Sequence, residues 1–221
     1  MKFLFSPLVI VSFIATGQVN QIWVDFNIQH KINSQWSWIG DAGARYIINQ
    51  SLSAAFVRGG VVYSPKPNIE LLGGLGYFLY NSSAAGITGH ELRPWEGLRF
   101  NFKISPGIAF TNYSRLEERF ILSEGSDDFF LRFRNLTGLT FTVFQASDKS
   151  HSIYTPISFE FFEDINKKLF INRHRIYFGI GYAFQKNKLE VHYISQRGRL
   201  NTSDDFELTE NIYRLRWFRT L

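Results

Sequence analysis

The chain has 221 residues, enough for one domain, with 24 Lys and Arg against 19 Asp and Glu, five His and no Cys. The lack of cysteine excludes a disulfide scaffold, a lipid-modified cysteine anchor and any cysteine-based metal or redox centre. The net charge of +5 is spread one or two residues per segment along the chain. That spread excludes the clustered basic patch that nucleic-acid binding requires.

Lys2 is followed by an apolar run from Phe3 to Ala15, then Ala15-Thr16-Gly17 and polar Gln18-Val19-Asn20. Small residues at this spacing after a short apolar run predict a secretory signal peptide, residues 1–17, cleaved after Gly17. The run is too short for a membrane anchor: at 1.5 Å per residue it spans roughly 20 Å against a hydrocarbon core of about 30 Å. No later stretch reaches 18 uninterrupted apolar residues, so the mature chain, residues 18–221, offers no spanning helix.

From Gln21 onward the dominant period is two, the mark of strands with two different faces. Ile22, Val24, Phe26 and Ile28 alternate with Trp23, Asp25, Asn27 and Gln29. Leu98, Phe100, Phe102 and Ile104 alternate with Arg99, Asn101 and Lys103, and Ile176 to Phe184 with Arg175 to Ala183. The predicted strands run over 21–32, 36–48, 52–63, 69–80, 91–104, 108–121, 128–145, 153–163, 170–185, 188–197 and 208–219. Short turn signals such as Asn33-Ser34-Gln35, Ser105-Pro106-Gly107 and Lys186-Asn187-Lys188 alternate with longer polar stretches near 81–90, 122–128, 164–169 and 198–208. Short turns alternating with longer loops suit an outer-membrane barrel. Single-chain bacterial barrels have even strand numbers, and Asn135-Leu136-Thr137-Gly138 could hide a turn. The expectation is therefore a closed, all-β, antiparallel transmembrane barrel of 12 strands, with 10 as the alternative, forming one domain.

A soluble exported barrel that binds a ligand also alternates, but with its apolar face inward. Three features favour the membrane form. The apolar face is aromatic on nearly every strand, the opposite face mixes Arg and Glu with Gly74, Gly76, Gly179 and Gly181, and the last strand alternates with aromatics. A Lys or Arg facing the bilayer midplane costs about 2–4 kcal/mol, so Arg99 and Lys103 together could cost up to about 8 kcal/mol on that side, comparable to a whole domain's stability. The charged face is therefore expected to line the lumen.

Ordered landmarks along this barrel are Glu91-Leu92-Arg93-Pro94-Trp95-Glu96, Arg115-Leu116-Glu117-Glu118-Arg119-Phe120, Arg132-Phe133-Arg134, Glu160-Phe161-Phe162 and Asn172-Arg173 leading to Gly179-Ile180-Gly181-Tyr182. In order and spacing they resemble the domain-of-unknown-function 2490 family, over about residues 20 to 221. The resemblance implies an exported bacterial protein forming an outer-membrane barrel, with no established activity. Glu96 stands where the family usually has glutamine, and Arg173 is followed by His174.

The expected lumen residues are Glu91, Arg93, Arg99, Lys103, Arg115, Glu117, Arg119, Arg132, Arg134, Glu160, Arg173, Arg175, Glu190, His192, Arg214 and Arg216. Arginine stays charged near neutral pH, so even with every Glu paired an excess of positive charge persists. Two roles follow: a salt-bridged structural barrel, or a narrow channel favouring small anionic solutes. A third is a lipid-modifying enzyme, for which His90, beside Glu91 and near Ser82 and Ser83, is the leading candidate among the five histidines. No metal-ligand spacing, cofactor motif or catalytic set is evident. The expected location is the outer membrane, and the expected partners are its lipid and the barrel-insertion machinery, with no nucleic acid.

Overall fold

A computed structural model describes residues 19–48, 52–82, 87–123, 126–167, 169–199 and 208–221; the predicted signal peptide lies outside them. The strands are β1 (Val19–Lys31), β2 (Trp36–Ile47), β3 (Leu52–Lys66), β4 (Ile69–Ser82), β5 (Ile87–Ser105), β6 (Ile108–Ser123), β7 (Ser126–Gln145), β8 (His151–Asp164), β9 (Leu169–Phe184), β10 (Asn187–Gly198) and β11 (Leu208–Thr220). A 3-10 turn, Ile165–Lys167, follows β8. Each strand pairs with its sequence neighbours, and β1 pairs with β11, closing the barrel and leaving no free sheet edge.

The strand count corrects the expectation of twelve: eleven strands close the barrel among the described residues. An even count is needed only where every pair is antiparallel. Here β1 and β11 run parallel, from Val19↔Glu210 to Gln29↔Thr220, while every other pair is antiparallel. Nor does 128–145 hide a turn. β7 runs unbroken for 20 residues, and Asn135, Thr137 and Gly138 all take ladder partners on β6.

Local chemistry sets the tight ends. Asn33 Oδ1 accepts the backbone N–H groups of Gln35 and Trp36 at 2.9 and 2.8 Å, turning the chain between β1 and β2. Gly107, with φ of 84°, makes the β5–β6 turn in a conformation that side chains disfavour. These turns, with those joining β3–β4, β7–β8 and β9–β10, lie at one end of the barrel. The other five connections, among them the long one between β10 and β11, lie at the opposite, long-loop end.

The period-two pattern resolves into two walls. Outward positions are apolar and exposed, as with Ile22, Val24 and Phe26 on β1 or Ile176, Phe178 and Ile180 on β9. Inward positions carry the charge: Asp25, Glu91, Glu117 and Glu160 are buried to 3% exposure or less. Glycines make room for that inner wall. A Cβ at Gly76 would meet Arg58 at 2.9 Å, one at Gly179 would meet the His192 ring at 2.6 Å, and one at Gly181 would run into Tyr154.

The ladders also fix the tilt. From Phe26 one ladder passes through Ala42, Val57, Tyr77, Leu92 and Phe120 to Phe129 on β7. The other passes through Trp217, Leu189, Tyr182 and Ile153 to Phe144. The two arrive about 15 residues apart, with a bulge at Thr142/Phe144 supplying the odd residue. Spread over eleven strands, that stagger corresponds to a strand tilt of about 40°.

Candidate functional site

Two apolar clusters occupy part of the interior. Trp23, Tyr177, Ile194 and Ile212 pack together and reach Leu136 on the far wall. Val62, Leu72 and Trp95 form the second cluster with Ile39 and Tyr113. Between and beyond them lies a cavity of about 860 Å³ lined by twelve arginines: Arg45, Arg58, Arg93, Arg99, Arg115, Arg119, Arg132, Arg134, Arg173, Arg175, Arg214 and Arg216. It extends toward the long-loop end at Gly89, Ile121 and Arg173. A second cavity of about 500 Å³ opens at the short-turn end among Gln29, Lys186 and Thr220. The two share Arg58, Arg99, Glu190, Arg216 and Phe218, so they meet in series along the barrel axis.

Carboxylates are shared along the wall rather than across the lumen. Glu91 on β5 accepts a bidentate pair from Arg119 Nε and Nη2 at 2.6 Å each, Arg93 Nε at 2.6 Å and the Tyr80 hydroxyl at 2.8 Å. Glu117 on β6 holds Arg115 at 2.5 Å, Arg134 at 3.0 Å and Arg93 at 3.6 Å. Glu160 on β8 takes Arg134, Arg175 at 3.6 Å and the Tyr177 hydroxyl. Every partner lies on the same or an adjacent strand, so the network stiffens the wall without bridging the bore.

Elsewhere the pairs are simpler. Arg132 makes two bonds to Asp164, at 2.6 and 3.1 Å, and Asn172 donates to the same carboxylate at 2.5 Å. Asp25 pairs with Arg214, Asp41 with Arg58, and Glu70 with Arg99 at 3.0 Å. Glu190 gathers the Tyr154 hydroxyl at 2.8 Å, His192 Nε2 at 2.9 Å and Arg216 at 3.6 Å. Glu210 accepts from Gln21 and Gln196, and Gln196 accepts from Arg175.

Among the described residues, Arg45 and Arg173 pair with no carboxylate. Arg45 instead lies 4.3 Å from the Trp23 ring centre, with Arg175 at 5.0 Å and Arg214 at 5.6 Å from the same ring. Three guanidinium groups thus surround one indole, which softens but does not cancel their charge. The buried Nε atoms of Arg45, Arg115 and Arg216 have no hydrogen-bond acceptor among the described residues.

Fifteen of the sixteen expected lumen residues line the main cavity. The exception is Lys103, a correction: its inward parity is right, but it sits two residues from the end of β5, beside a bulge, and is exposed beyond the cavity. The expected charge excess is also corrected in size. Arg45 and Arg58 join the wall, and so do Asp25, Asp41, Glu70, Asp164 and Glu210. The twelve cavity arginines therefore face nine carboxylates, an excess of three. Asp25 was readable, since it alternates with Val24 and Phe26. Asp41 and Glu70 are each the lone carboxylate on their strand, and only the ladder shows which arginine each meets.

His90, the candidate for enzymatic chemistry, lies on the outer face, where Nδ1 meets the Tyr77 hydroxyl at 2.5 Å. Ser83 lies outside the described residues. Among the described residues no three His, Asp or Glu side chains group as a metal site.

Fold and site together define a closed β-barrel with a charged, arginine-rich interior and an apolar exterior. The family described as Protein of unknown function (DUF2490) matches residues 20–207, and the chain belongs to that family. No curated protein matches the chain.

Proposed function

We propose that this protein is an outer-membrane β-barrel whose lumen is a narrow, anion-favouring path. The observation that carries the reading is the pair of cavities in series, the larger walled by twelve arginines and the two together by five carboxylates, with four further carboxylates, Asp25, Glu70, Asp164 and Glu210, in the network behind the lining. Rings of arginine are how a pore favours anions. Because the carboxylates are satisfied along the wall, the surplus at Arg45 and Arg173 faces the bore. Guanidinium groups remain charged at any physiological pH, so this preference is permanent.

The membrane setting is supported by the outer face. On β2, Trp36 and Tyr46 bracket Trp38, Gly40, Ala42 and Ala44. Ten residues along a strand tilted by about 40° rise about 25 Å, the height of the apolar band in outer-membrane barrels. Charge inside and apolar surface outside is the reverse of a soluble barrel's arrangement. The signal peptide, residues 1–17, would direct export, with lipid and the barrel-insertion machinery as partners.

The same network supports a second reading, a salt-bridged structural barrel that does not conduct. Trp23 reaching Leu136 across the interior favours it. One experiment separates the two. The purified protein, shown to be folded by faster migration on SDS gels before heating than after, is inserted into planar bilayers. Small, discrete currents support the path, silence from folded protein supports the structural barrel, and recovery as a soluble protein overturns both.

A further inference from the structure

The outer wall is not uniformly apolar. On its β5–β7 arc, Asn112 and Ser114 of β6 and Asn135 and Thr137 of β7 form a hydrogen-bonded patch. Asn135 Nδ2 donates to Ser114 Oγ at 2.8 Å, and Asn112 Nδ2 donates to Thr137 Oγ1 at 2.8 Å. Beside them Glu96, at the centre of β5, points outward and is exposed. Among the described residues its carboxylate has no hydrogen bond or ion pair.

The tilt places these residues at one height. A level line drifts about 1.3 residues per strand from the ladder in a barrel of this stagger. Starting from Phe26, whose ladder crosses β5 at Leu92, β6 at Phe120 and β7 at Phe129, the level line meets Glu96, Ser114 and the Asn135–Thr137 segment. This height is about five residues from the short-turn ends of β1, β10 and β11, or about 12 Å along the axis. That is half the height of a band about 25 Å tall. The patch therefore sits at the middle of the apolar wall, where lipid offers no hydrogen-bond partner.

We propose that the β5–β7 face is the interface of a homodimer, with a second copy of this chain covering it. The inference rests on the reading of the outer wall as lipid-facing. Two barrels sharing a membrane relate by a twofold axis along the membrane normal. Such an axis beside β6 sets β5 of one copy against β7 of the other at the same height. The unpaired Glu96 carboxylate of each copy then faces its partner's Asn135 and Thr137, whose amide and hydroxyl donors, held within one barrel by Ser114, Asn112 and Asn135, turn to the carboxylate when the two copies meet. Ser114, nearest the axis, faces its own counterpart. An acceptor-only group on one flank and donors on the other make the surface self-complementary, and that argues for a copy of this chain over an unrelated partner.

The absence of cysteine makes introduced thiols unambiguous reporters. In lipid vesicles, oxidation of Ser114→Cys should give disulfide-linked dimers, and a mixture of Glu96→Cys with Asn135→Cys should give a cross-linked pair. Leu215→Cys, at the same height on the opposite wall, should link several-fold less. Glu96→Leu should lower the dimer fraction at least about tenfold in single-molecule subunit counting. Folded barrels in which Ser114→Cys links no better than Leu215→Cys, or in which Glu96→Leu dimerises like the wild type, overturn the proposal. So does a protein that is monomeric in vesicles but cross-links to a different protein in native membranes. A wild-type chain recovered as soluble overturns the dimer together with the membrane reading, whereas a folded, membrane-bound monomer overturns the dimer alone.

Discussion

Two arcs of the inner wall treat the same residue type differently. From β5 to β9 eight arginines line the cavity: six of them (Arg93, Arg115, Arg119, Arg132, Arg134 and Arg175) crowd around four carboxylates, with Glu91, Glu117 and Glu160 each shared by two or more, while Arg99 reaches back to Glu70 on β4 and Arg173 pairs with no carboxylate among the described residues. From β11 through β1 to β3, the pairs are one to one, Asp25 with Arg214 and Asp41 with Arg58, and Arg45 has none. The first arc is a shared lattice in which each carboxylate neutralises several neighbours at once. The second has no shared carboxylate of this kind: its unpaired Arg45 rests on aromatic faces, whereas Arg173, the unpaired arginine of the first arc, lies at the end of the lattice beside Arg175 and Arg132. The difference separates charge that holds the barrel together from charge available to a solute.

The comparison breaks most severely if the lattice loses a carboxylate. Glu117→Ala strands Arg115 and leaves Arg93 and Arg134 each with a single carboxylate, Glu91 and Glu160, and removing one partner of a buried ion-pair set costs about 3–5 kcal/mol. Urea unfolding in lipid vesicles should show a loss of that size, and a change below about 1 kcal/mol would mean the lattice is solvent-screened. Next comes space. Gly179→Val drives a side chain into the His192 ring and should cost about 1–3 kcal/mol by overpacking, read in the same assay. Asp41→Asn breaks a single pair in the second arc, whose two side chains are 15–16% exposed. It should destabilise less than Glu117→Ala does; equal losses would erase the distinction between the arcs. The smallest stability effect is expected for Arg45→Met, within about 1 kcal/mol of the wild type, because replacing an unpaired buried cation by an apolar side chain removes a desolvation cost. The same variant should lose anion preference several-fold in bilayer recordings. Unchanged selectivity would remove Arg45 from the conducting path.

Much of this barrel was legible because strand periodicity is local. Ten of the eleven strands begin and end within three residues of their predicted bounds, and β5 starts four residues early, at Ile87 where residue 91 was expected. The parity of Glu91, Arg93, Arg115 and Glu117 placed them correctly on one wall. The eleven segments were legible one by one, but the parallel closure between β1 and β11 is a relation between chain ends that no window contains, so the even-number rule raised the expected count to twelve. Asn135 to Gly138 read as a turn because Asn, Thr and Gly favour turns in isolation; their role emerges only when β6 brings Asn112 and Ser114 alongside. Lys103 shows the limit of parity, which assigns a face but not a depth.

The central claim, that surplus arginine charge faces a continuous bore, is tested most directly by the reversal potential of the wild-type protein in a planar bilayer under a KCl gradient. The account predicts a potential of the sign set by chloride, shrinking toward zero as salt screens the wall. A potential of the sign set by potassium would contradict it.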